Sequence, residues 1–190
     1  MFEVERKYLL KSGQVDIIVA QLAQLDFELG QELELTDYFL PTFDNFDMVR
    51  LRQELESAET RFYFTCKSWY LLPDSTRERL EHEEKLSNSL GLTFLNLVKN
   101  NSATLHFTKK RRVFTGTLSG QTVSVCLDNV LDLGMFSGDY MEIEVLVKTQ
   151  TKIDFARSLI DKAAKAISGN DLEPVSMSYY AMLKKHANVN

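Results

Sequence analysis

Charged and apolar residues alternate along much of this chain, and that alternation sets the first expectation. In FEVERKYLL (Phe2–Leu10), Glu3, Glu5 and Lys7 fall at every second position, with Phe2 and Val4 on the other side. This is the two-residue period of a strand. Further strand-like segments are read at Leu33–Leu40, Met48–Glu54, Arg61–Trp69, Thr76–Lys85, Leu105–Thr115, Gln121–Val130 and Tyr140–Lys148. PTFDNFD, ESAET and TLSGQT supply turn residues between some of them. A longer period marks four helices. The first follows Ser12, a candidate N-cap, with Val15, Ile18, Val19, Leu22 and Leu25 on one face, and its region ends at Gly30. The others are Leu90–Lys99, Ile153–Ile167 with Gly169 at its end, and a short Ser178–Lys185. The pattern predicts an α+β fold with a large antiparallel sheet. Eight strands can close into a β-barrel with helices packed outside, which removes the sheet edges.

Composition bounds this picture. At 190 residues, 44% hydrophobic and 26% charged, the chain has material for a real core. No low-complexity linker divides it, so one domain over 1–190 is expected. The net charge of −5 lacks the basic surplus of a nucleic-acid binder. No stretch is long and apolar enough for a membrane span, and no secretory leader precedes the first strand. A cytoplasmic protein with two reduced core thiols, Cys66 and Cys126, is expected.

Parity along the strands changes the picture more than composition does. Arg50, Arg52 and Glu54 oppose Val49 and Leu51. Arg61, Tyr63, Thr65 and Lys67 oppose Phe62, Phe64 and Cys66. Arg79, Glu81 and Glu83 share a face, as do Lys109 and Arg111. Cys126 and Asp128 share another, and Glu142 and Glu144 oppose Met141, Ile143 and Val145. A solvated sheet face carries charges too. Here, however, Glu or Lys/Arg recurs at one parity in strand after strand, where Ser, Thr and Asn are also usual. If the sheet closes, that parity lines the lumen. Both signs of charge there are costly when dry. They make sense around water, or around a polyanion with divalent cations, where Lys and Arg bind phosphate and Glu ligates Mg²⁺ or Mn²⁺.

The EVERK stretch (Glu3-x-Glu5-x-Lys7) resembles the N-terminal ExExK signature of the CYTH superfamily, the triphosphate tunnel metalloenzymes. DYF at Asp37–Phe39, VRLRQE, Lys67, RERLEHEE, TKKRRVF, CLDNVLDLGMFSGDYMEIEV and the final SYYAML resemble further family segments in order. The resemblance covers nearly the whole chain. It implies an eight-stranded tunnel that binds a triphosphate. Glu3, Glu5, Glu142 and Glu144 are implied as metal carboxylates, with Glu81, Glu83 and Asp128 as further candidates. Lys7, Arg50, Arg52, Lys67, Arg79, Lys109 and Arg111 are implied as triphosphate ligands. Tyr38 and Lys67 match a Tyr–Lys pair proposed to activate water in the thiamine triphosphatase branch; Tyr38 as a packed aromatic is the other reading. Leu40 departs from the Asp that often follows the aromatic pair, and SWYLLPDST lengthens the approach to the Arg/Glu strand. Trp69 and Tyr70 within it read either as a hydrophobic loop anchor or as a mouth that stacks a substrate's ring.

Three functions are open at this point. The first is class IV adenylyl cyclase-like chemistry, ATP to cyclic AMP and pyrophosphate. The second is hydrolysis of thiamine triphosphate, inorganic triphosphate or a nucleoside triphosphate. The third is non-catalytic binding of polyphosphate. The cyclase is placed marginally first, on SYYAML. The expected partner is a small-molecule triphosphate rather than nucleic acid or membrane, and an apolar exterior would suit a homodimer.

Overall fold

The computed structural model describes residues 2–71, 77–102, 104–169 and 171–187. The strands are β1 Phe2–Leu9, β2 Glu28–Leu40, β3 Met48–Glu56, β4 Glu59–Leu71, β5 Arg77–Leu86, β6 His106–Leu118, β7 Gln121–Val130, β8 Gly138–Val147 and β9 Glu173–Val175. The helices are α1 Gln14–Gln24, α2 Asn88–Lys99, α3 Ile153–Ser168 and α4 Tyr179–Ala187. The strands form one sheet in the order β5-β4-β3-β2-β6-β7-β8-β1-β9, and β5 also pairs with β1. Eight strands therefore close as the antiparallel barrel that the alternation predicts, with β9 as an addition. The expected strand start at Thr76 and the PDST turn lie outside the described residues.

The chain divides into two compact units. One comprises residues 1–32, 111–129 and 138–176; the other comprises 33–110, 130–137 and 177–190. In the first, β1 pairs antiparallel with β8, Glu5 opposite Glu144 and Lys7 opposite Glu142. The apolar parity of both strands faces α3. Val4, Ile143 and Val145 are buried, as are Ile153, Ala156, Leu159, Ile160, Ala163 and Ile167 of α3. Full burial of each Ile, Leu or Val contributes roughly 1.5–3 kcal/mol, so this one stripe fixes which side of β1 is dry. The outward Arg6 reaches back to Asp161 of α3.

Two local expectations change in this unit. The N-cap of α1 is Gly13, at φ 81°, and not Ser12. The Gln14 side chain accepts from the Lys11 amide at 2.7 Å and supplies the local turn instead. The helix also ends well before Gly30. Asp26 turns the chain at φ 58°, the Phe27 amide donates to the Leu22 carbonyl at 3.0 Å, and Gly30 lies inside β2. The three-residue β9, which pairs with β1 around Pro174, is too short for any periodic signal.

In the second unit β2, β3, β4 and β5 pair in sequence order. Helix α2 starts at Ser87, whose hydroxyl accepts from the Leu90 amide at 3.4 Å, a standard N-cap bond. It packs on β3 and β4, and its Leu95 and Val98 join Tyr38, Leu51 and Phe62 in one buried cluster. Gly91 permits the approach. A Cβ built there would lie 2.3 Å from the Phe62 ring, which is itself 1% exposed.

Gly91→Ala therefore tests the packing of α2. Helix propensity alone favours alanine by about 1 kcal/mol. The clash with a buried ring outweighs that, and the expected outcome is a net loss of about 1–3 kcal/mol in thermal or urea unfolding. A stabilised variant would show that α2 does not rest on Phe62.

Candidate active site: two charged clusters

In the first unit the charged parity of β1, β6, β7 and β8 gathers an acidic cluster. Glu5 and Glu144 stand directly opposite on adjacent strands. Glu3, Glu5 and Glu144 each bring a carboxylate oxygen within 4.8 Å of the others. Like charges at such spacing repel. Burial, with Glu3, Glu142 and Glu5 adding to it, pushes the Glu144 carboxyl up to about 8, although Arg111 opposes the shift. The donor set is three hard oxygen ligands, which suits Mg²⁺ or Mn²⁺.

The neighbouring carboxylates have another partner. Arg111 donates to both oxygens of Asp128, from Nε at 2.6 Å and Nη2 at 2.7 Å. It also bonds Glu142, and its Nη1 lies 3.7 Å from Glu144. Lys7 Nζ is 3.1 Å from Glu142. Lys7, Arg111, Asp128 and Glu142 are all buried. Burial works against the Arg111 charge, but Asp128 foremost, with Glu142 adding, holds it firmly protonated. Cys126 lies beside this network. Burial first, with the nearby carboxylates adding and Arg111 opposing, raises its thiol far above the usual range, so it stays neutral. Both cysteines are free and buried.

In the second unit the basic side chains converge on one acid. Arg52 grips Asp37 with a fork, Nε to Oδ1 at 2.7 Å and Nη2 to Oδ2 at 2.8 Å, and Arg50 Nη1 adds a bond at 3.2 Å. Asp37 is 2% exposed, and burial alone would raise its carboxyl. Arg50 and Arg52 overcome this and hold it well below the usual carboxylate range. Arg50 also donates to Thr65 Oγ1 at 3.3 Å and lies 3.7 Å from both Glu81 and Glu83. Lys67 Nζ is 3.3 Å from Glu81, and Thr65 donates to Glu83 at 2.9 Å. Lys109 is 2% exposed, 4.7 Å from the centroid of the Tyr179 ring of α4. Arg79 lies 4.6 Å above the Trp69 ring.

The sequence-predicted residues thus fall into named groups. Glu3, Glu5 and Glu144 meet each other. Lys7, Arg111, Asp128 and Glu142 form an ion network beside them. Arg50, Arg52, Lys67, Glu81 and Glu83 form another network around Asp37 and Thr65. Tyr38 is not brought to Lys67. It has the opposite parity to Asp37 on β2 and packs against Leu51 and Phe62, with His106 stacked on it at 5.6 Å. The inward residue at that step is Phe39, stacked on Tyr180 at 4.5 Å. Asp37 is a further site residue, one that the sequence shows only as the start of DYF. Its even spacing from Leu35 and Phe39 on one face, opposite a paired-arginine strand, is the signal that could have found it.

The family model for the CYTH domain matches residues 1–172. No curated protein sequence matches the chain. Among solved structures, the chain is similar to the PH1819 protein of Pyrococcus horikoshii OT3, with 23% identity, a TM-score of 0.67, and coverage of 97% of this chain and 99% of that one. It is also similar to a candidate adenylate cyclase of Vibrio parahaemolyticus, with 18% identity, a TM-score of 0.65 and coverage of 97% and 98%. A candidate adenylyl cyclase of Hippeastrum, described as having a dominant triphosphatase activity, aligns at 16% identity and a TM-score of 0.64, covering 97% of this chain and 96% of that one. At these identities the structural likeness speaks for the fold.

The crowded carboxylates have a pH signature. Glu144 binds its proton more tightly folded than unfolded, so the unfolded state holds fewer protons as pH rises. Metal-free protein should therefore lose stability between about pH 4.5 and 8, where the unfolded group and then the folded group ionise. The loss should be on the order of several kcal/mol. Glu144→Gln should flatten this part of the Tm–pH profile, and millimolar Mn²⁺ should restore wild-type Tm at pH 8. A flat metal-free wild-type profile would show that the three carboxylates do not repel.

Proposed function

The chain belongs to the CYTH domain family, and from that premise we propose that it is a metal-dependent enzyme acting on a triphosphate, with ATP cyclisation to cyclic AMP and pyrophosphate as its reaction. The observation that carries the metal and phosphate reading is the segregation of charge. Three carboxylates meet with mutual repulsion in one unit, and in the other Asp37 holds the fork of Arg52 and one bond from Arg50, while Lys67 pairs with Glu81 beside Arg50. The acidic group is the metal-binding part of the reaction and the basic group is the phosphate-binding part.

Glu3, Glu5 and Glu144 would hold the divalent cation, which when bound neutralises phosphate charge and polarises the reacting phosphorus. Arg50 and Arg52 are held by Asp37 before any substrate arrives, so they lose little side-chain freedom on binding phosphate oxygens. Their positive charge, with that of Lys67 and Lys109, stabilises charge that develops on the leaving pyrophosphate. Arg111 and Lys7 act on the acidic side. They pair with Asp128 and Glu142, beside the three carboxylates that would hold the cation. Cyclisation needs the ribose 3′-hydroxyl as nucleophile, so the substrate carries its own attacking group. The position of Tyr38 favours this reading, because the Tyr–Lys pair that would activate a water is not assembled. Hydrolysis is the second reading, supported by Lys67, a buried amine that could accept a proton from water once Glu81 turns to another partner.

The test is product analysis with Mg²⁺ or Mn²⁺ and ATP, thiamine triphosphate or inorganic triphosphate. Cyclic AMP with pyrophosphate is expected from ATP; release of orthophosphate alone would move the protein to the hydrolases. Glu5→Gln and Glu144→Gln should each lower the metal-dependent rate by at least about a hundredfold while the fold survives. Tyr38→Phe should stay within a few-fold of wild type. A hundredfold loss in Tyr38→Phe would return its hydroxyl to the chemistry.

A further inference from the structure

Strands β4 and β5 continue the phosphate-binding face beyond the basic cluster. The side chains at 65, 67 and 69 share the face of Arg50 and Arg52, and their cross-strand partners are Glu83, Glu81 and Arg79. Exposure along this face climbs from 0% at Thr65 and 7% at Lys67 to 49% at Trp69. Pairing with β3 ends at Met48 opposite Lys67, and β4 and β5 run on together to Leu71 opposite Arg77. A two-stranded ribbon has little stability of its own, and a half-exposed tryptophan on it is not part of a core. Yet the ring is not idle, because the Arg79 guanidinium stacks above it at 4.6 Å.

We propose that Trp69, flanked by Arg79, is the stacking platform for the neutral aromatic base of a nucleoside triphosphate whose phosphates are held by Arg50, Arg52 and Lys67. The proposal rests on the triphosphate reading above and names the residue that would select the base within it. The spacing suits it. At about 3.3 Å per residue, Trp69 stands roughly 7 Å beyond Lys67 and roughly 13 Å beyond the Thr65–Arg50 rung. That separates a base from the phosphates it trails. Every base offers a π-face to an aromatic side chain. Arg79 narrows the choice: a ring with a fixed positive charge, such as a thiazolium, meets a like charge across the indole, whereas a neutral purine on the other face of Trp69 meets none. Tyr70 has the opposite parity and does not join the platform.

Trp69 is the only tryptophan in the chain, so its emission reads this position alone. Stopped-flow fluorescence read before turnover, with calorimetry, would compare inorganic triphosphate, ATP and thiamine triphosphate in Mg²⁺. ATP should change the emission and bind about tenfold more tightly than inorganic triphosphate, the scale of one base–aromatic stack. By calorimetry, Trp69→Ala should erase that advantage without weakening inorganic triphosphate, and Trp69→Phe should keep most of it. Equal affinities with no change in emission would overturn the platform while leaving the triphosphate reading standing. Preference for thiamine triphosphate would overturn the neutral-base assignment. Failure of inorganic triphosphate to bind would sink the triphosphate reading, and the platform with it.

Discussion

Glu5 and Glu144 face each other across a ladder of hydrogen-bonded strands, with Glu3 close to both. Strand register leaves them no room to part, since a shift by one residue would turn every apolar side chain of β1 and β8 away from α3. The hydrophobic stripe of α3 thus holds like charges together against their repulsion. Much of the surrounding chemistry answers that constraint. Arg111 and Lys7 take up Asp128 and Glu142. The three remaining carboxylates still crowd one another, within 4.8 Å.

The second unit solves the opposite problem by the same device. Its cations would repel, and one buried aspartate draws two arginines into place. Asp37 with Arg52 and Asp128 with Arg111 are both two-pronged pairs, Nε to one oxygen and Nη2 to the other. A lysine could not reproduce either geometry, because its ammonium has no fork. In each pair the aspartate sets the orientation of the arginine. Removing Asp128 would leave the buried Arg111 guanidinium partly unmatched, the costly way to break such a pair, and removing Asp37 would do the same to the half-buried Arg52.

Much of the fold was legible because strands and helices impose periods on sequence. Alternation located the eight long strands, and helical spacing located the four helices. The errors lie where no period operates. Gly30 looked like a helix end, but the chain had already turned at Asp26. The strand β9 is too brief to repeat anything. For the site, parity told which residues share a face, and it told nothing about which partner each one finds there. Glu142 and Glu144 are equivalent in the sequence. In the structure one sits opposite Lys7 and the other opposite Glu5, and their environments diverge accordingly. The aromatic pair Tyr38–Phe39 shows the same limit. Adjacent residues on a strand point to opposite faces, so only one of them can share a face with Lys67, and it is Phe39.

By itself the sequence determined the order of elements, the charged and apolar faces of each strand, and the family to which the chain belongs. Those features are written in local spacing and in the types of residue, and neither depends on distant contacts. The tertiary structure decided the pairings: Asp37 as the anchor of two arginines, Arg111 turned to Asp128 and Glu142, Trp69 laid under Arg79. Each pairing joins residues brought together by strand register across the sheet, a relation that hydrogen bonding and core packing create and that no short stretch of sequence contains.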